Sequence, residues 1–585
     1  MDRPIGLGCM RLSTDGARDD ARSADVLAAA LDAGVDLLDT ADAYGLDDAD
    51  LGHNELLIAR AISSRRVAVV TKGGLTRPGG AWRPDGRARH LEVAARESRD
   101  RLGIDAIDLY LLHAIDPAVE LATSVRALAR LRDAGVTRAI GLSNVNLHQL
   151  EQALAITAIE AVEVELSPYR RAAIDGGLVR ACERRGIRLL AHRPLGGPAG
   201  VRRLAGDPVI GAIAASCGAT PGELALAWLR AQSPVIVPLP GATRVETARS
   251  AARAAALALE PAALAELTAR FTGEPDAPAR APSGQPGEVV VIVGMPAAGK
   301  TTLAIDYAAR GYLRLNRDER GGSLADLARE LRRALAAGVT RVVLDNTYPS
   351  RASRAPVIAA ARRHGIAARC VVLATPLEQA QANAVARMLE EHGRLLEPAE
   401  LGRAGAIGPS AQFRYRRAFE PPSADEGFGA VDEVAFAPRA ASPGAVVRAA
   451  LIVELDGLVW RGRPRAVGDV ALAPGAAERL AAWSAAGYVV TATAWQPAPF
   501  DPAIDVRLCD LLGQPISVAR CTHPAGPPAC WCRKPLPGLA LWLARRHRFA
   551  LAPSVHVGRG AADRGFALRA GVRYLDGGAG IPPPP

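Results

Sequence analysis

The sequence predicts an α/β protein in which a (β/α)8 barrel is followed by two further α/β domains. Three observations support this prediction. Strand-like and helical stretches alternate through the first half of the chain, two segments rich in Pro and Gly interrupt it, and a continuous apolar run leads into a glycine-rich loop after the first of these segments. At 585 residues the chain is long enough for about three or four domains. We predict a barrel at 1–272, a linker at 273–287, a second domain at 288–438, a linker at 439–448, a third domain at 449–578 and a disordered, proline-rich tail at 579–585.

Short β-rich runs separated by amphipathic stretches predict the strands of a parallel TIM barrel. They are expected at residues 35–39, 67–71, 107–112, 139–142, 161–166, 187–192 and 235–238. In such barrels the chemistry lies at the carboxyl ends of the strands. Asp39, Tyr44, Lys72 and His113 occur at or just after predicted strand ends.

Composition limits the class of protein. No apolar run approaches the roughly 18 residues needed to cross a bilayer, and the first residues do not form a secretion signal, so we expect a cytoplasmic protein with no membrane partner. The net charge of +10 permits an anionic partner such as nucleic acid, although solvated arginine faces are the better explanation. Eight cysteines are too few for a disulfide framework, and four of them crowd near the C-terminus, which favours a metal site. Oligomeric state is not predictable from these data.

Lysine is rare in this chain. Among 71 Lys and Arg residues only Lys72, Lys300 and Lys534 are lysines, and each lies in a different predicted domain. A compact ammonium fits a tight phosphate or proton-transfer site better than a planar guanidinium does. The three lysines therefore mark three candidate sites.

The four barrel residues, in order and spacing, resemble the catalytic set of the aldo-keto reductase family over residues 4–272. The resemblance implies reduction of a small carbonyl substrate with a nicotinamide cofactor. By that resemblance Tyr44 donates a proton to the developing alkoxide, Lys72 stabilises the phenolate, Asp39 holds the lysine and His113 positions the carbonyl oxygen.

The same resemblance implies the cofactor contacts. Ser143 and Asn144 match the residues that hold the nicotinamide amide, and Glu163 stands where the family has glutamine. Gly241 and Arg244 match the adenosine-phosphate loop, and Arg244 can pair with a 2′-phosphate, which favours NADP(H) over NAD. Both cofactors remain possible at this stage.

The second domain opens with an apolar run at 289–293, followed by a loop that carries the full phosphate-loop signature. Its members are Gly294, Gly299, Lys300, Thr301 and Thr302. Backbone N–H groups at such a helix start cradle the phosphates of ATP, the lysine reaches the β- and γ-phosphates, and Thr301 ligates Mg²⁺.

Residues 315–318, 343–347, 377–387 and 413–422 resemble the kinase domain of polynucleotide kinase-phosphatases. The resemblance implies that Asp318 is the general base, that Arg387 is a lid cation on the phosphates, and that Asp345 holds Mg²⁺ or its waters. Nucleic acid 5′-hydroxyl ends are then the expected acceptor. Small-molecule kinases of the same broad group leave a sugar or polyol open as an alternative.

The third domain resembles haloacid dehalogenase (HAD)-type phosphatases with a zinc loop. Cys521, His523, Cys530 and Cys532 have the spacing of a closed tetrahedral Zn²⁺ site. Lys534 matches the lysine that stabilises a phosphorylated intermediate. The carboxylates are altered, because Glu454 stands at the nucleophile position before Asp456, and an arginine, Arg559, stands at a Mg²⁺-binding aspartate position ahead of Asp563. We therefore expect a degenerate phosphatase.

Three hypotheses cover the whole chain. In the first, the barrel reduces a sugar aldehyde at a damaged nucleic-acid end and the kinase restores a 5′-phosphate. In the second, a metabolic enzyme reduces and phosphorylates one small sugar or polyol. In the third, a non-catalytic adaptor senses NADP and ATP, although intact Tyr44, Lys72 and Asp318 speak against it.

Overall fold

The computed structural model describes residues 5–62, 65–272, 287–435, 448–497, 500–526 and 529–585. The chain forms two compact units, Met1–Ser283 with Ser350–Gly365, and Gly284–Pro349 with Ile366–Pro585. The second unit therefore contains most of the second predicted domain and all of the third. Apart from Gly287 and Arg448, the two predicted linkers lie outside the described residues.

The first unit is built around a closed parallel sheet. Its strands are β1 (Leu7–Gly8), β2 (Leu37–Asp39), β3 (Ala68–Gly73), β4 (Leu75–Thr76), β5 (Arg83–Pro84), β6 (Ile107–Leu112), β7 (Thr137–Ser143), β8 (Ala161–Glu165), β9 (Arg188–His192) and β10 (Ile236–Leu239). β4 and β5 form a small antiparallel hairpin, and the other eight strands pair in parallel in chain order. Gly8 pairs with Gly241, and the Gly6 N–H donates to the Pro238 carbonyl over 3.0 Å, which closes the sheet. This confirms the predicted (β/α)8 barrel.

Helices cover the outside of the barrel. They are α1 (Arg11–Thr14), α2 (Asp20–Asp32), α3 (His53–Ile62), α4 (Ala88–Leu102), α5 (Leu121–Asp133), α6 (Leu147–Leu154), α7 (Ala172–Asp175), α8 (Leu178–Arg185), α9 (Gly197–Ala205), α10 (Pro208–Ser216), α11 (Pro221–Ala231), α12 (Val245–Arg253) and α13 (Pro261–Thr272). Leu109 and Leu111 of β6 pack inside the barrel, whereas Tyr110 and Leu112 of the same strand pack in the layer beneath the helices. Both faces of the strand are buried, which explains why its sequence is mostly apolar.

The second unit contains two separate five-stranded sheets. The first consists of β11 (Glu288–Val293), β12 (Leu313–Leu315), β13 (Arg341–Leu344), β14 (Ala367–Ala374) and β15 (Ala430–Ala435), in the order β12-β13-β11-β14-β15. The second consists of β16 (Ala450–Glu454), β17 (Val489–Trp495), β18 (Ser517–Cys521), β19 (Val555–Gly558) and β20 (Arg573–Asp576), in the order β18-β17-β16-β19-β20. All pairings are parallel. In each sheet the first strand is central and the chain continues to both sides of it, which opens a crevice at the carboxyl end of that strand.

The remaining helices connect these strands. They are α14 (Lys300–Ala309), α15 (Arg317–Arg320), α16 (Leu324–Ala336), α17 (Arg351–Arg363), α18 (Leu377–His392), α19 (Pro409–Ala418), α20 (Ala476–Ala485), α21 (Ala503–Leu512), α22 (Gly538–His547) and α23 (Ala561–Ala570).

The C-terminal tail corrects one prediction. Residues 579–585 were expected to be disordered, but Ile581 is buried in the core beside the sheet formed by β16–β20, which we call the third sheet. The indole N–H of Trp483 donates to the Pro582 carbonyl over 2.7 Å. The buried Ile581 side chain and the hydrogen-bonded Pro582 carbonyl hold this short proline-rich segment in place. The amino-acid composition of the tail does not indicate these two contacts.

Within the described residues, no single helix has the length and apolarity to cross a bilayer. The bent pair α10 and α11, which meet at 83°, passes the same test only when the two helices are taken together.

Candidate functional sites

The barrel brings the predicted catalytic side chains together around Lys72. Asp39 ends β2, Lys72 lies near the end of β3, and Tyr44 lies in the loop after β2. The Lys72 ammonium nitrogen is 2.5 Å from Asp39 Oδ1, 3.3 Å from Tyr44 Oη and 3.2 Å from Glu163 Oε2. The Lys72 side chain is fully buried. Gly73 follows it because a Cβ there would lie 1.9 Å from the Tyr110 hydroxyl, so a larger residue does not fit.

Aromatic rings surround the tyrosine. His113 directly follows β6, and its ring centroid is 5.6 Å from that of Tyr44 in an edge-on arrangement. Trp82 lies 6.3 Å from Tyr44 and 6.2 Å from His113, and its ring is covered by the Arg77 guanidinium at 3.9 Å. Sequence reasoning missed Trp82, because a lone tryptophan in a loop carries no spacing signal. It gives the mouth of the site an apolar wall.

Burial dominates the electrostatics of this cluster. Burial and the Asp39 charge raise the pKa of Glu163 to about 8. Burial lowers the pKa of Lys72, but its neighbours, Asp39 first among them, outweigh this effect, so the pKa is raised and the ammonium stays charged. Burial, and secondarily Lys72, hold the pKa of His113 well below its usual range, which keeps the imidazole neutral at pH 7. Burial raises the pKa of Tyr44 and exceeds the opposing effect of Lys72.

The predicted cofactor residues are distributed around the same mouth. The Asn144 amide donates to the His113 carbonyl over 3.0 Å and to Ser143 Oγ over 3.1 Å, and Asn144 has a left-handed φ of 58°. Asn144 therefore also fixes the backbone at His113. Gly241 closes the barrel against Gly8, and Arg244 is exposed at the residue before α12. Glu163, which matches a nicotinamide-binding position, contacts Lys72 over 3.2 Å.

The phosphate loop connects β11 to α14. Gly294 follows the strand, Gly299 precedes the helix with a φ of 94°, and Ala297 between them also has a left-handed φ of 66°. Lys300 Nζ donates to the Met295 carbonyl over 2.7 Å. Burial lowers the pKa of Lys300 to about 8. The lysine thus lies folded back over its own loop.

Thr301 and Thr302 are exposed in the first turn of α14, where N–H groups and the helix dipole favour an anion. This geometry is suited to binding phosphate groups.

The other predicted kinase residues differ in their surroundings. Asp345 follows β13 with a fully buried side chain that accepts from Arg314 over 2.8 Å and from Asn316 over 2.7 Å. The Asp318 side chain is 79% exposed and pairs with Arg317, and Arg387 is 62% exposed and pairs with Glu391 one turn along α18. Asp345 is therefore already satisfied by protein groups, whereas Asp318 and Arg387 are accessible.

Three polar side chains that sequence reasoning missed hold the phosphate loop from outside. Asn383 donates to the Ala297 carbonyl over 3.1 Å, Gln412 donates to the Pro296 carbonyl over 3.1 Å, and Thr375 donates to the Ala298 carbonyl over 2.8 Å. Asn383 and Gln412 lie within or beside the segments singled out from the sequence, but nothing in their spacing indicates these contacts.

The third sheet gathers the predicted phosphatase residues at the end of β16. Lys534 Nζ contacts Glu454 and lies 2.6 Å from Asp563 Oδ1. Asp456 pairs with Arg463 and accepts from the Trp460 indole over 2.9 Å. These three carboxylates are therefore all engaged by protein donors.

Arg559 occupies the space beside this cluster. Its guanidinium donates to the Asp456 carbonyl over 3.1 Å, and its backbone N–H donates to Asp563 Oδ2 over 2.8 Å. His556 Nε2 is 3.1 Å from Asp563 Oδ1. Burial raises the pKa of Asp563, but His556 and Lys534 outweigh it and lower the pKa, so Asp563 is ionised at neutral pH.

The cysteine–histidine cluster comprises Cys521, His523, Cys530 and Cys532, and its ligand atoms all lie within 4.8 Å of one another. Cys521 Sγ is 3.6 Å from Cys530 Sγ, and His523 Nδ1 is 3.1 Å from Cys532 Sγ. Tetrahedral zinc with bonds of about 2.3 Å to sulfur and about 2.0 Å to nitrogen separates its ligands by roughly 3.3–3.8 Å. The 3.6 Å separation lies within this range and the 3.1 Å separation is slightly shorter, and three thiols with one imidazole are a donor set suited to zinc.

A closed parallel barrel with ionisable groups at the carboxyl ends of its strands has the layout of a TIM-barrel enzyme. Residues 4–270 match the aldo/keto reductase family, so the N-terminal part of the chain is an aldo/keto reductase domain. Residues 289–401 match the family described as AAA domain, so a P-loop, kinase-like domain follows it.

Individual relatives match the barrel. An uncharacterized oxidoreductase of Schizosaccharomyces pombe is 28% identical over 268 residues, covering 45% of this chain and 85% of that protein. The crystal structure of an aldo/keto reductase from Klebsiella pneumoniae in complex with NADP and acetate is 27% identical and covers 47% of this chain and 93% of that one, with a TM-score of 0.40. A thermostable aldo-keto reductase in complex with the inhibitor epalrestat is 29% identical and covers 46% of this chain and 94% of that one, with a TM-score of 0.39.

Proposed function

We propose that the barrel reduces an aldehyde or ketone with a nicotinamide cofactor, NADPH in preference to NADH. The observation that carries this proposal is the buried contact set of Lys72 with Asp39, Tyr44 and Glu163. The exposed Arg244 at the start of α12 supports the preference for a 2′-phosphate.

The protein groups have separate roles in this reaction. The cofactor, when bound, supplies hydride. Tyr44 donates the proton that the alkoxide requires, and the Lys72 ammonium at 3.3 Å stabilises the phenolate left behind. Asp39 keeps Lys72 charged and oriented. Neutral His113 and Trp82 orient the substrate carbonyl and exclude water from the mouth of the site.

Replacing the proton donor tests this proposal. We expect Tyr44→Phe to lower kcat for a panel of aldehydes by at least about 100-fold, measured as NADPH oxidation, while cofactor binding measured by fluorescence persists. Tyr110→Phe is the matched control, because its buried hydroxyl has no hydrogen-bond partner among the described residues and lies outside the site. A Tyr44→Phe enzyme as active as this control would contradict the assignment.

We infer that the second domain transfers phosphate from ATP–Mg²⁺, with nucleic acid 5′-hydroxyl ends as the acceptor. The phosphate loop, with Lys300 over it and Thr301 in the first turn of α14, supports ATP and Mg²⁺ binding. The exposed Asp318 carboxylate is the proposed general base, and the exposed Arg387 is the proposed lid cation. Asp345 is proposed to act on Mg²⁺ through water, because Arg314 and Asn316 already engage its oxygens.

The acceptor is tested by incubating the chain with labelled ATP, Mg²⁺ and either a 5′-hydroxyl oligonucleotide or a panel of polyols. We expect transfer to the oligonucleotide, sensitive to salt because several phosphates are neutralised on binding. Lys300→Ala should abolish transfer, whereas Arg333→Ala, an exposed cation of α16, should not. Transfer to a polyol alone would contradict the nucleic-acid hypothesis and favour a metabolic kinase that acts on a small sugar or polyol.

We propose that the third domain is a HAD-like domain that no longer hydrolyses phosphate esters and that its cysteine–histidine cluster holds a structural zinc ion. The observation that carries the first part is that Lys534 already bridges Glu454 and Asp563 while Asp456 pairs with Arg463. The Arg559 guanidinium adds positive charge where a metal would have to bind.

The proposed loss of phosphatase activity is tested by measuring hydrolysis of an aryl phosphate. We expect no turnover above background by the wild-type chain with Mg²⁺. The double variant Glu454→Asp, Arg559→Asp places aspartates at both altered positions and should raise hydrolysis above background. Turnover by the wild-type chain that Lys534→Ala removes would overturn the proposal.

A further inference from the structure

The histidine of the cysteine–histidine cluster has two different neighbours. Its Nδ1 faces the sulfur atoms, whereas its Nε2 lies 2.5 Å from Oε2 of Glu397. Glu397 follows α18 and belongs to the P-loop part of the second unit, not to the third sheet. When Nδ1 binds a metal, Nε2 carries the remaining proton and donates it to the carboxylate. Glu397 is thus placed to orient a metal ligand from outside the third domain.

The backbone at Glu397 is itself fixed. Its N–H donates to Glu400 Oε2 over 2.8 Å, and Glu400 pairs with Arg394 over 2.7 Å. The Glu397 side chain is 59% exposed, and an exposed carboxylate–imidazole pair alone contributes little. A metal on Nδ1 changes this, because it fixes the imidazole ring and its tautomer.

The loop that carries His523, Cys530 and Cys532 makes a second contact with the residues that follow α18. Trp531 lies between two of the cysteines, is 1% exposed, and its indole N–H donates to the Ile407 carbonyl over 2.9 Å. Its ring belongs to an apolar cluster formed by the end of α18 and the residues after it, namely Met388, Leu389, Leu396 and Leu401. The loop therefore contacts residues 393–408 through two side chains: His523 reaches Glu397, and Trp531 both donates to the Ile407 carbonyl and packs in one cluster with Leu396 and Leu401.

We propose that a metal ion in the cysteine–histidine cluster latches the third domain onto segment 393–408, with Glu397 as the positioning residue for His523. The proposal rests on the proposed metal site. Cys521 ends β18 and the other three ligand residues lie in the loop between β18 and α22, so the metal supplies cross-links that hold this loop to the strand. When the metal holds the loop, His523 contacts Glu397 and Trp531 contacts Ile407. When the metal is removed, both contacts are lost.

The first test measures how tightly the full chain holds zinc. We expect Glu397→Gln to release zinc to a chromophoric chelator at least about 10-fold faster than the wild-type chain. Glu390→Gln, which removes the same charge from an exposed position on α18, should behave as wild type. Equal release rates in all three proteins would overturn the role of Glu397. A wild-type chain that binds no zinc would instead defeat the metal site itself.

The second test follows the latch without any substitution. Hydrogen–deuterium exchange of the full chain is measured with zinc, after chelation, and after zinc is added back. We expect chelation to increase amide exchange both in the ligand loop and in residues 393–408, and restored zinc to reverse both changes. Exchange that rises in the loop while residues 393–408 stay protected would overturn the latch and leave the metal site standing.

Discussion

At the scale of single residues, Lys72 has two buried carboxylates within reach but only one positive charge. Asp39 lies at 2.5 Å and Glu163 at 3.2 Å. One ammonium neutralises one carboxylate, and burial disfavours the second negative charge. Since burial and the Asp39 charge raise the pKa of Glu163 to about 8, this carboxyl holds a proton at neutral pH. A protonated carboxyl has one donor and one acceptor, as the side-chain amide of glutamine does.

The raised pKa of Glu163 predicts how stability depends on pH. The folded protein keeps a proton that the unfolded chain releases near the ordinary value of 4.5, so the stability linked to that proton is lost as the pH rises towards about 8. Glu163→Gln cannot ionise. We expect its thermal midpoint to match wild type near pH 5 and to exceed it at pH 9, by a few degrees. Glu151→Gln, exposed on α6, is the control. Equal thermal midpoints of all three proteins at pH 9 would show that ionisation of Glu163 does not destabilise the folded protein.

Arg244 carries the prediction for cofactor choice. It is exposed next to the start of α12, where a guanidinium can pair with a 2′-phosphate. We expect Arg244→Ala to raise KM for NADPH about 10-fold and to leave KM for NADH and kcat with either cofactor near wild type. An equal effect on both cofactors would mean that Arg244 does not read the 2′-phosphate.

At the scale of elements, α18 supports the phosphate loop. The Asn383 amide of this helix donates to the Ala297 carbonyl, at a position where the loop has a left-handed φ of 66°. A non-glycine residue in that conformation needs support from its surroundings.

We therefore expect Asn383→Ala to weaken binding of a fluorescent ATP analogue about 5- to 10-fold, because loss of this hydrogen bond costs about 1 kcal/mol or slightly more. The exposed α18 variant Glu390→Ala should bind the analogue as wild type does. Unchanged affinity in Asn383→Ala would mean that the loop keeps its shape without α18.

The elements also show what the sequence could predict. All seven barrel strands predicted from apolar runs are present within two residues of their observed bounds, because buried parallel strands have a strong sequence signal. The first strand was missed, since Leu7–Gly8 is too short to show a pattern. The cysteine–histidine cluster was predicted from spacing alone, and the structure brings its ligand atoms together. Contacts between distant segments were not predictable, as Glu163 on Lys72 and Glu397 on His523 illustrate.

At the scale of the whole molecule, the second unit joins two sheets that composition predicts as separate domains. Besides the contacts of the cysteine–histidine cluster, the Arg569 guanidinium of α23 donates to Gln381 of α18 over 2.8 Å. α18 therefore faces the third domain on one side and holds the phosphate loop through Asn383 on another. We therefore expect a change at the cysteine–histidine cluster to reach the phosphate loop through α18.

This path predicts that metal removal weakens nucleotide binding. We expect chelation of zinc from the full chain to raise the Kd for a fluorescent ATP analogue about 3- to 10-fold and zinc to restore it, a coupling of about 1 kcal/mol or slightly more. NADPH binding to the barrel, measured in the same sample, serves as the internal control and should not change. Trp531→Phe removes the hydrogen bond to the Ile407 carbonyl while keeping an aromatic ring, so it should raise the Kd for the analogue part of the way even with zinc bound. The contrary outcome is that chelation leaves the Kd for the analogue unchanged while residues 393–408 lose protection from exchange. That result would mean that the metal stabilises the contact between the third domain and segment 393–408 without affecting nucleotide affinity. The third domain would then have a structural role and not a regulatory one.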